Sequence, residues 1–298
     1  MLFLAGLLVD GALAGAVYAP IALAFVVVYK ASRMINFALG EWMMVGTRLV
    51  ASGLHAGFGL LGAVGAACAG MAALAVVFNR VVLRHLAGRP VIALIMVTLG
   101  LGAFLRASGA VLFKGPGYIR LPLPSAPLDI RGIFVPVDKL VAAGIALGCV
   151  ALVSWIFQRS RIGVALRAIA DDPQVATSVG IDIHRYFAIT WVMVGILSVV
   201  GGTLWAITVG GGFGVVLVGL KVFPIVIVGG LDSILGTLLG AIFIGVLESL
   251  TSGYVDPLLG AGFGSMVSYL VLIAVLFVRP YGLLGKPQIE RVYSDCKT

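Results

Sequence analysis

Ionisable side chains are scarce in this 298-residue chain, and the few inside its apolar runs are the first candidates for chemistry. Arg48, Arg106, Lys221 and Glu248 fall within such runs. Asn36 and Glu41 stand at the start of one, in Ile35-Asn36-Phe37-Ala38-Leu39-Gly40-Glu41. Charges in a hydrocarbon environment are costly and face an interior, a partner or a watery path. Lys221 and Glu248 read most plainly as a structural ion pair between neighbouring segments; lining a substrate path is the bolder reading. Glu41 suits the dipole at a helix start, and Arg48 and Arg106 could snorkel to a polar boundary. Together, Glu41, Lys221 and Glu248 could also serve as a relay in an ion-coupled carrier or channel.

Other chemistries are poorly supplied. No Gly-x-x-x-x-Gly-Lys-Ser/Thr run occurs, so this chain has no phosphate loop for hydrolysing ATP. His55, His85 and His184 fall in or beside predicted loops at no metal-ligand spacing. A serine hydrolase would need a base beside its nucleophile inside the membrane, and no histidine is placed there. Cys68, Cys149 and Cys296 are widely separated, and the first two read as small packing residues. The expectation is a chain with no metal and no cofactor of its own.

The composition says where such a chain lives. It is 61% hydrophobic and 11% charged, with mean hydropathy +1.17, against about 45–50% and about 25% for soluble domains. So few charges cannot cover an aqueous surface. A soluble enzyme, a nucleic-acid binder and a disordered tail are all excluded; the net charge of +8 fits basic cytoplasmic loops instead. The 41 glycines suit helices whose backbones approach closely in lipid.

The fold expected is an all-α polytopic membrane protein with about nine transmembrane helices. The spans fall near 8–29, 36–54, 58–79, 90–113, 138–158, 185–209, 213–230, 234–253 and 262–278. The basic residues then sort by side. Lys30, Arg33, Arg80, Arg84, Arg89, Arg159, Arg161, Arg167, Arg185, Arg279, Lys286, Arg291 and Lys297 lie on one face; Lys114, Arg120, Arg131 and Lys139 lie on the other. The richer face is assigned to the cytoplasm, which puts the N-terminus outside and the C-terminus inside. The opening stretch lacks a basic region and carries Asp10, so it is read as a retained span rather than a cleaved signal. The external segment 115–137, with Pro116, Pro122, Pro124, Pro127 and Pro136, reads as an extended, proline-stiffened loop.

Two further segments carry information. Between Arg159 and Arg185, Ile162, Ala165, Leu166 and Ile169 recur at helical spacing, and Asp172-Pro173 starts a second short helix ending near Gly180. Periodicity alone fits a helix resting on headgroups as well as a docking element for a cytoplasmic partner. In Gly219–Glu248, Gly229 and Gly230 break an apolar run, Asp232 and Ser233 can cap a new helix, and Gly236 and Gly240 form a small helix face. Gly62, Ala66 and Gly70 supply a similar face for helix packing.

Three blocks resemble the LivH-type permease family of bacterial branched-chain amino acid ABC transporters. They are INFALGEWMMVG at 35–46, RSRIGVALRAIADDPQVATSVGI at 159–181 and GLKVFPIVIVGGLDSILGTLLGAIFIGVLE at 219–248. The close Arg279-Pro280-Tyr281-Gly282-Leu283 and the weaker VTLGLG at 97–102 are similar too. Leu39, Thr47, Val222 and Pro224 depart from the family's usual residues. The resemblance implies a single permease domain over 1–298, with 159–184 as the coupling loop that fits a groove on an ATPase. Arg161, Gly163, Ala165, Arg167, Ala168, Asp172 and Gly180 would be its coupling positions. It also implies four kinds of partner: a second, LivM-like permease, two LivG/LivF-like ATPases that hold ATP and Mg, a periplasmic binding protein, and the lipid of a bacterial inner membrane. Substrates associated with such relatives are amino acids, urea, short amides and carboxylates.

Overall fold

Backbone inside a bilayer must satisfy its own hydrogen bonds, so each apolar run closes into a helix. The computed structural model describes residues 2–86, 91–113, 118–119, 127–130, 133–212, 214–260, 262–279 and 281–285. In order come α1 (Leu2–Ser32), α2 (Leu39–His55) and α3 (Leu60–Phe78), which runs through a wider turn at Asn79–Leu83 into α4 (Arg84–Leu86). Then follow α5 (Val91–Leu112), α6 (Val137–Arg159), α7 (Arg161–Asp171), α8 (Pro173–Ser178) and α9 (Ile183–Thr208). The last elements are α10 (Val215–Gly229), α11 (Ile234–Tyr254), α12 (Asp256–Leu259) and α13 (Phe263–Val278).

Six of these stretches are long and apolar enough to cross a membrane: Leu2–Ser32, Leu60–Leu86, Ile92–Leu112, Val137–Arg159, Ile183–Thr208 and Ile234–Leu258. The other three expected spans are helical but short. α10 and α13 have 15 and 16 residues, α2 has 17, and α2 carries Glu41, Thr47 and Arg48. At about 1.5 Å per residue, such helices fall short of a bilayer's hydrocarbon thickness of about 30 Å.

The core is built around α1, of which 83% of the most apolar window is buried. It packs mainly on α11 and α9, and further on α6 and α10. Small residues make the α1–α11 approach possible: a Cβ on Gly15 would lie 2.5 Å from the Ala241 carbonyl, and one on Gly245 would lie 2.6 Å from Gly15 Cα. A second layer sets α2 between α3, α9, α10 and α5. Trp42, Phe78 and Trp191 pack ring on ring there. α3, α5 and α13 form the periphery, where exposed Leu61, Val77, Phe104, Leu270 and Phe277 face outward.

Several expectations are corrected. The segment 115–137 is more ordered than a loop among its described residues. β2 (Pro127–Ile130) and β3 (Ile133–Pro136) form an antiparallel hairpin, and β1 (Tyr118–Ile119) pairs with β4 (Gly211–Gly212). Gly62, Ala66 and Gly70 are exposed, while Ala63, Ala67, Met71 and Ala75 on the adjacent stripe of α3 make the helix contact. The stripe that packs is one residue along the helix. Arg48 is buried rather than snorkelled. The placements of Arg89, Lys114, Arg120, Arg131, Pro280, Lys286, Arg291, Cys296 and Lys297 lie outside the described residues.

Candidate functional site: a charged cleft and a polar loop

Glu41 sits in the first turn of α2, as its sequence position suggests, but its partner is not the helix backbone. Arg106 on α5 donates to Glu41 Oε1. The Glu41 side chain is 6% exposed and that of Arg106 is 58% exposed. The pair stands in a cleft of about 500 Å³ between α2, α5 and α10. Its wall is built largely from small residues: Gly40 from α2, Gly102, Ala103, Ala107 and Ala110 from α5, and Gly219 from α10. Phe37, Leu99, Val216 and Leu220 supply the apolar remainder. Gly102 lies midway along α5, and a Cβ there would come within 3.2 Å of the Glu41 carboxylate. Gly40 and Gly219 let α2 and α10 meet: a Cβ on Gly219 would stand 2.5 Å from Gly40 N.

Asn36 turns the chain into α2, its Oδ1 accepting the Ala38 N–H at 3.0 Å. The Phe37 N–H donates to Thr98 on α5. The turn before it is set by Arg33, which has φ +54° and donates to Asp232 Oδ1 at 2.9 Å. Lys221 and Glu248 are paired at 3.5 Å, and the Tyr18 hydroxyl donates to the other Glu248 oxygen at 2.8 Å. Glu41, Lys221 and Glu248 therefore divide between two pairs and do not form one relay.

The loop from 159 to 184 is folded and capped throughout. Ser160 accepts the Gly163 N–H at 3.1 Å to start α7. Asp172 accepts the Gln174 and Val175 N–H groups at 2.8 and 3.0 Å to start α8. Gly180, at φ +84°, supplies the left-handed turn, and Asp182 caps α9. The residues singled out here separate by face. Gly163 and Ala165 are buried with Leu166 and Ile169, and α7 rests on α1, α6 and α9. A Cβ on Gly163 would stand 2.2 Å from the Phe157 carbonyl, so this position fixes the loop to the bundle. The Arg167 guanidinium donates to that same carbonyl. Ala168 is half-buried, while Arg161, Asp172 and Gly180 are exposed. Beside them Val164, Val175 and Val179 are exposed apolar side chains.

Among the glycines, Gly229 meets Gly236, where a Cβ would be 2.3 Å from the Gly236 carbonyl, and Gly240 faces Gly229 and Ile225. Gly230, at φ +104°, lies against Gly285. The closing segment is bound there, as the Leu283 N–H donates to the Val228 carbonyl at 2.8 Å. Ser233 caps α11 while Asp232 binds Arg33.

Among the features that escaped the sequence reading are the Glu41–Arg106 pairing and the Asp10–Lys139 ion pair. Both join partners more than sixty positions apart. Their common signal is an isolated charge in an apolar run, which needs a counter-charge somewhere.

The chain matches the family described as "Branched-chain amino acid transport system / permease component" over residues 7–276. It is 31% identical over 310 residues to the high-affinity branched-chain amino acid transport system permease protein LivH of Escherichia coli strain K12, covering 95% of this chain and 96% of that one. BraD of Pseudomonas aeruginosa, named a permease protein of the same kind of system, is 29% identical over 96% of this chain and 97% of its own length. Among solved structures, PsaBC from Streptococcus pneumoniae in complex with Fab has a similar fold, with a TM-score of 0.50 at 16% identity, over 94% of this chain and 92% of that one. End-to-end matches of this extent, on an all-α polytopic membrane fold, place the chain in the family of branched-chain amino acid transport system permease components.

Proposed function

We propose that this chain is the permease subunit of an ATP-driven importer, carrying branched-chain amino acids or related small amino acids, amides or carboxylates by alternating access. The observation that carries this is the likeness to LivH and BraD along nearly the whole chain. A stand-alone carrier is less well supported, since the three groups of its relay are split between two ion pairs. All 298 residues would form one permease domain, with the nine apolar helices crossing or entering the bacterial inner membrane. The N-terminus would face out and the C-terminus in.

In this reading a second, LivM-like permease stands beside the chain. Two LivG/LivF-like ATPases bind ATP and Mg below it, and a periplasmic binding protein delivers solute from above. The chain itself needs no cofactor. The 159–184 loop is the handle for the motor. Gly163 and Ala165 hold it to the bundle, and Arg161, Arg167, Ala168, Asp172 and Gly180, with the exposed valines, offer the face an ATPase would grip. Coupling requires that the two ends of the cycle make different contacts with the motor.

The test is reconstitution with candidate partner subunits in proteoliposomes, reading labelled L-leucine uptake against ATP hydrolysis. Uptake should require both ATP and the binding protein. Uptake by this chain alone, driven by an ion gradient, would overturn the assignment.

A further inference from the structure

The two ion pairs differ in their surroundings. Lys221–Glu248 is partly covered on both sides, with side chains 26% and 14% exposed, and Tyr18 occupies the second carboxylate oxygen. Glu41–Arg106 is open on one side, beside a cleft walled by glycine and alanine instead of by filling side chains. Here the Arg106 side chain is 58% exposed while that of Glu41 is 6% exposed.

We propose that the Glu41–Arg106 pair is an exchange site for a zwitterion, with the solute's ammonium taking Glu41 and its carboxylate taking Arg106. This rests on the permease assignment above and narrows it to α-amino acids. With the cleft empty, each protein charge neutralises the other. With a zwitterion inserted, each finds an opposite charge on the solute, and the net charge of the site is unchanged. At no point does the buried Glu41 carboxylate stand alone, which is the costly state within a membrane. A solute bearing only an anion or only a cation would strand one partner. The apolar part of the solute has a place along Phe37, Leu99, Val216 and Leu220. The volume, about 500 Å³, lies within the range of about 300–1,000 Å³ usual for small-molecule sites. Gly102 keeps the Glu41 carboxylate free to change partners, since any side chain there would press on it.

A double-mutant comparison separates this from a structural pair. In the complete reconstituted transporter, Glu41→Gln and Arg106→Gln should each lower labelled L-leucine uptake by about tenfold or more, since truncating one partner strands the other charge. The double variant removes the stranded charge, so the yield of folded complex should recover while leucine uptake stays low. Recovery of uptake to within about twofold of wild type, well under the tenfold step, would overturn the proposal. If the double variant does not assemble, an Ala103→Cys variant decides, in a background with Cys68, Cys149 and Cys296 replaced. Its labelling by a methanethiosulfonate reagent should slow when leucine is transported, and labelling indifferent to leucine would overturn the site. A wild-type transporter that carries labelled urea or 4-methylpentanoate but not leucine would sink the zwitterion site and leave the permease assignment standing. One that carries no probe with ATP would count against the permease assignment itself.

Discussion

Gly245 meets Gly15 with no room for a methyl group between α11 and α1. Gly245→Val should therefore destabilise the bundle, by about 1–3 kcal/mol if the helices part slightly. A lowered melting temperature of the detergent-purified chain would register it, and an unchanged one would show that the helices separate without cost. Gly62→Val, at an exposed position on α3, should leave that temperature near wild type. The two substitutions have the same chemistry and opposite expectations, because one glycine sits at a crossing and the other does not. The sequence reading singled out Gly62 as a packing position and passed over Gly245. Small-residue spacing is a property of one helix, and closeness is a property of two. Glu41 shows the same limit: its place at a helix start was legible, while its counter-charge 65 positions away was not.

At the scale of elements, the loop between α6 and α9 was largely legible, because its signals are local. Asp172 before Pro173 named the start of α8, and the apolar spacing of α7 named its buried face. What the sequence left out was the division of labour on that face. Gly163 and Ala165 turn inward, so substitution there tests folding rather than docking. The docking face is better tested at Val175 and Val179, both exposed on or just after α8. Val175→Asp with Val179→Asp should weaken retention of the ATPases on the membrane complex and lower ATP-driven uptake by about tenfold, the order expected when charge replaces apolar contact at an interface. Asp172→Ala should cost about 1 kcal/mol of local helix stability, seen as faster amide exchange over residues 174–178. If neither retention nor uptake moves in the valine double variant, the motor grips elsewhere, while unchanged exchange in Asp172→Ala would show the cap to be dispensable.

The whole molecule places its most buried span at the centre and its least buried ones outside. Helical class and membrane residence followed from composition, since 61% apolar content leaves no other solvent. The number of full-length crossings did not follow, because hydropathy counts residues and not the depth at which a helix begins. The orientation proposed here is testable on intact cells or spheroplasts. A cysteine at Ser178, exposed at the end of α8, should resist a membrane-impermeant thiol reagent until the membrane is opened. Labelling from outside would invert the topology.

The grip of α1 on α11 also dictates an order of events during synthesis. Tyr18 and Glu248, which bond across this contact, are 230 positions apart. α1 leaves the ribosome well before α11 and must therefore wait, its glycines Gly11 and Gly15 facing lipid or insertion machinery, until α11 arrives. A nascent chain stopped near residue 233 would lack the strand of contacts that closes the bundle, and quality-control proteases should clear it quickly. Supplying residues 234–285 as a separate fragment should rescue it, because that fragment carries the α11 face for α1 together with the α13 and closing-segment contacts to α10.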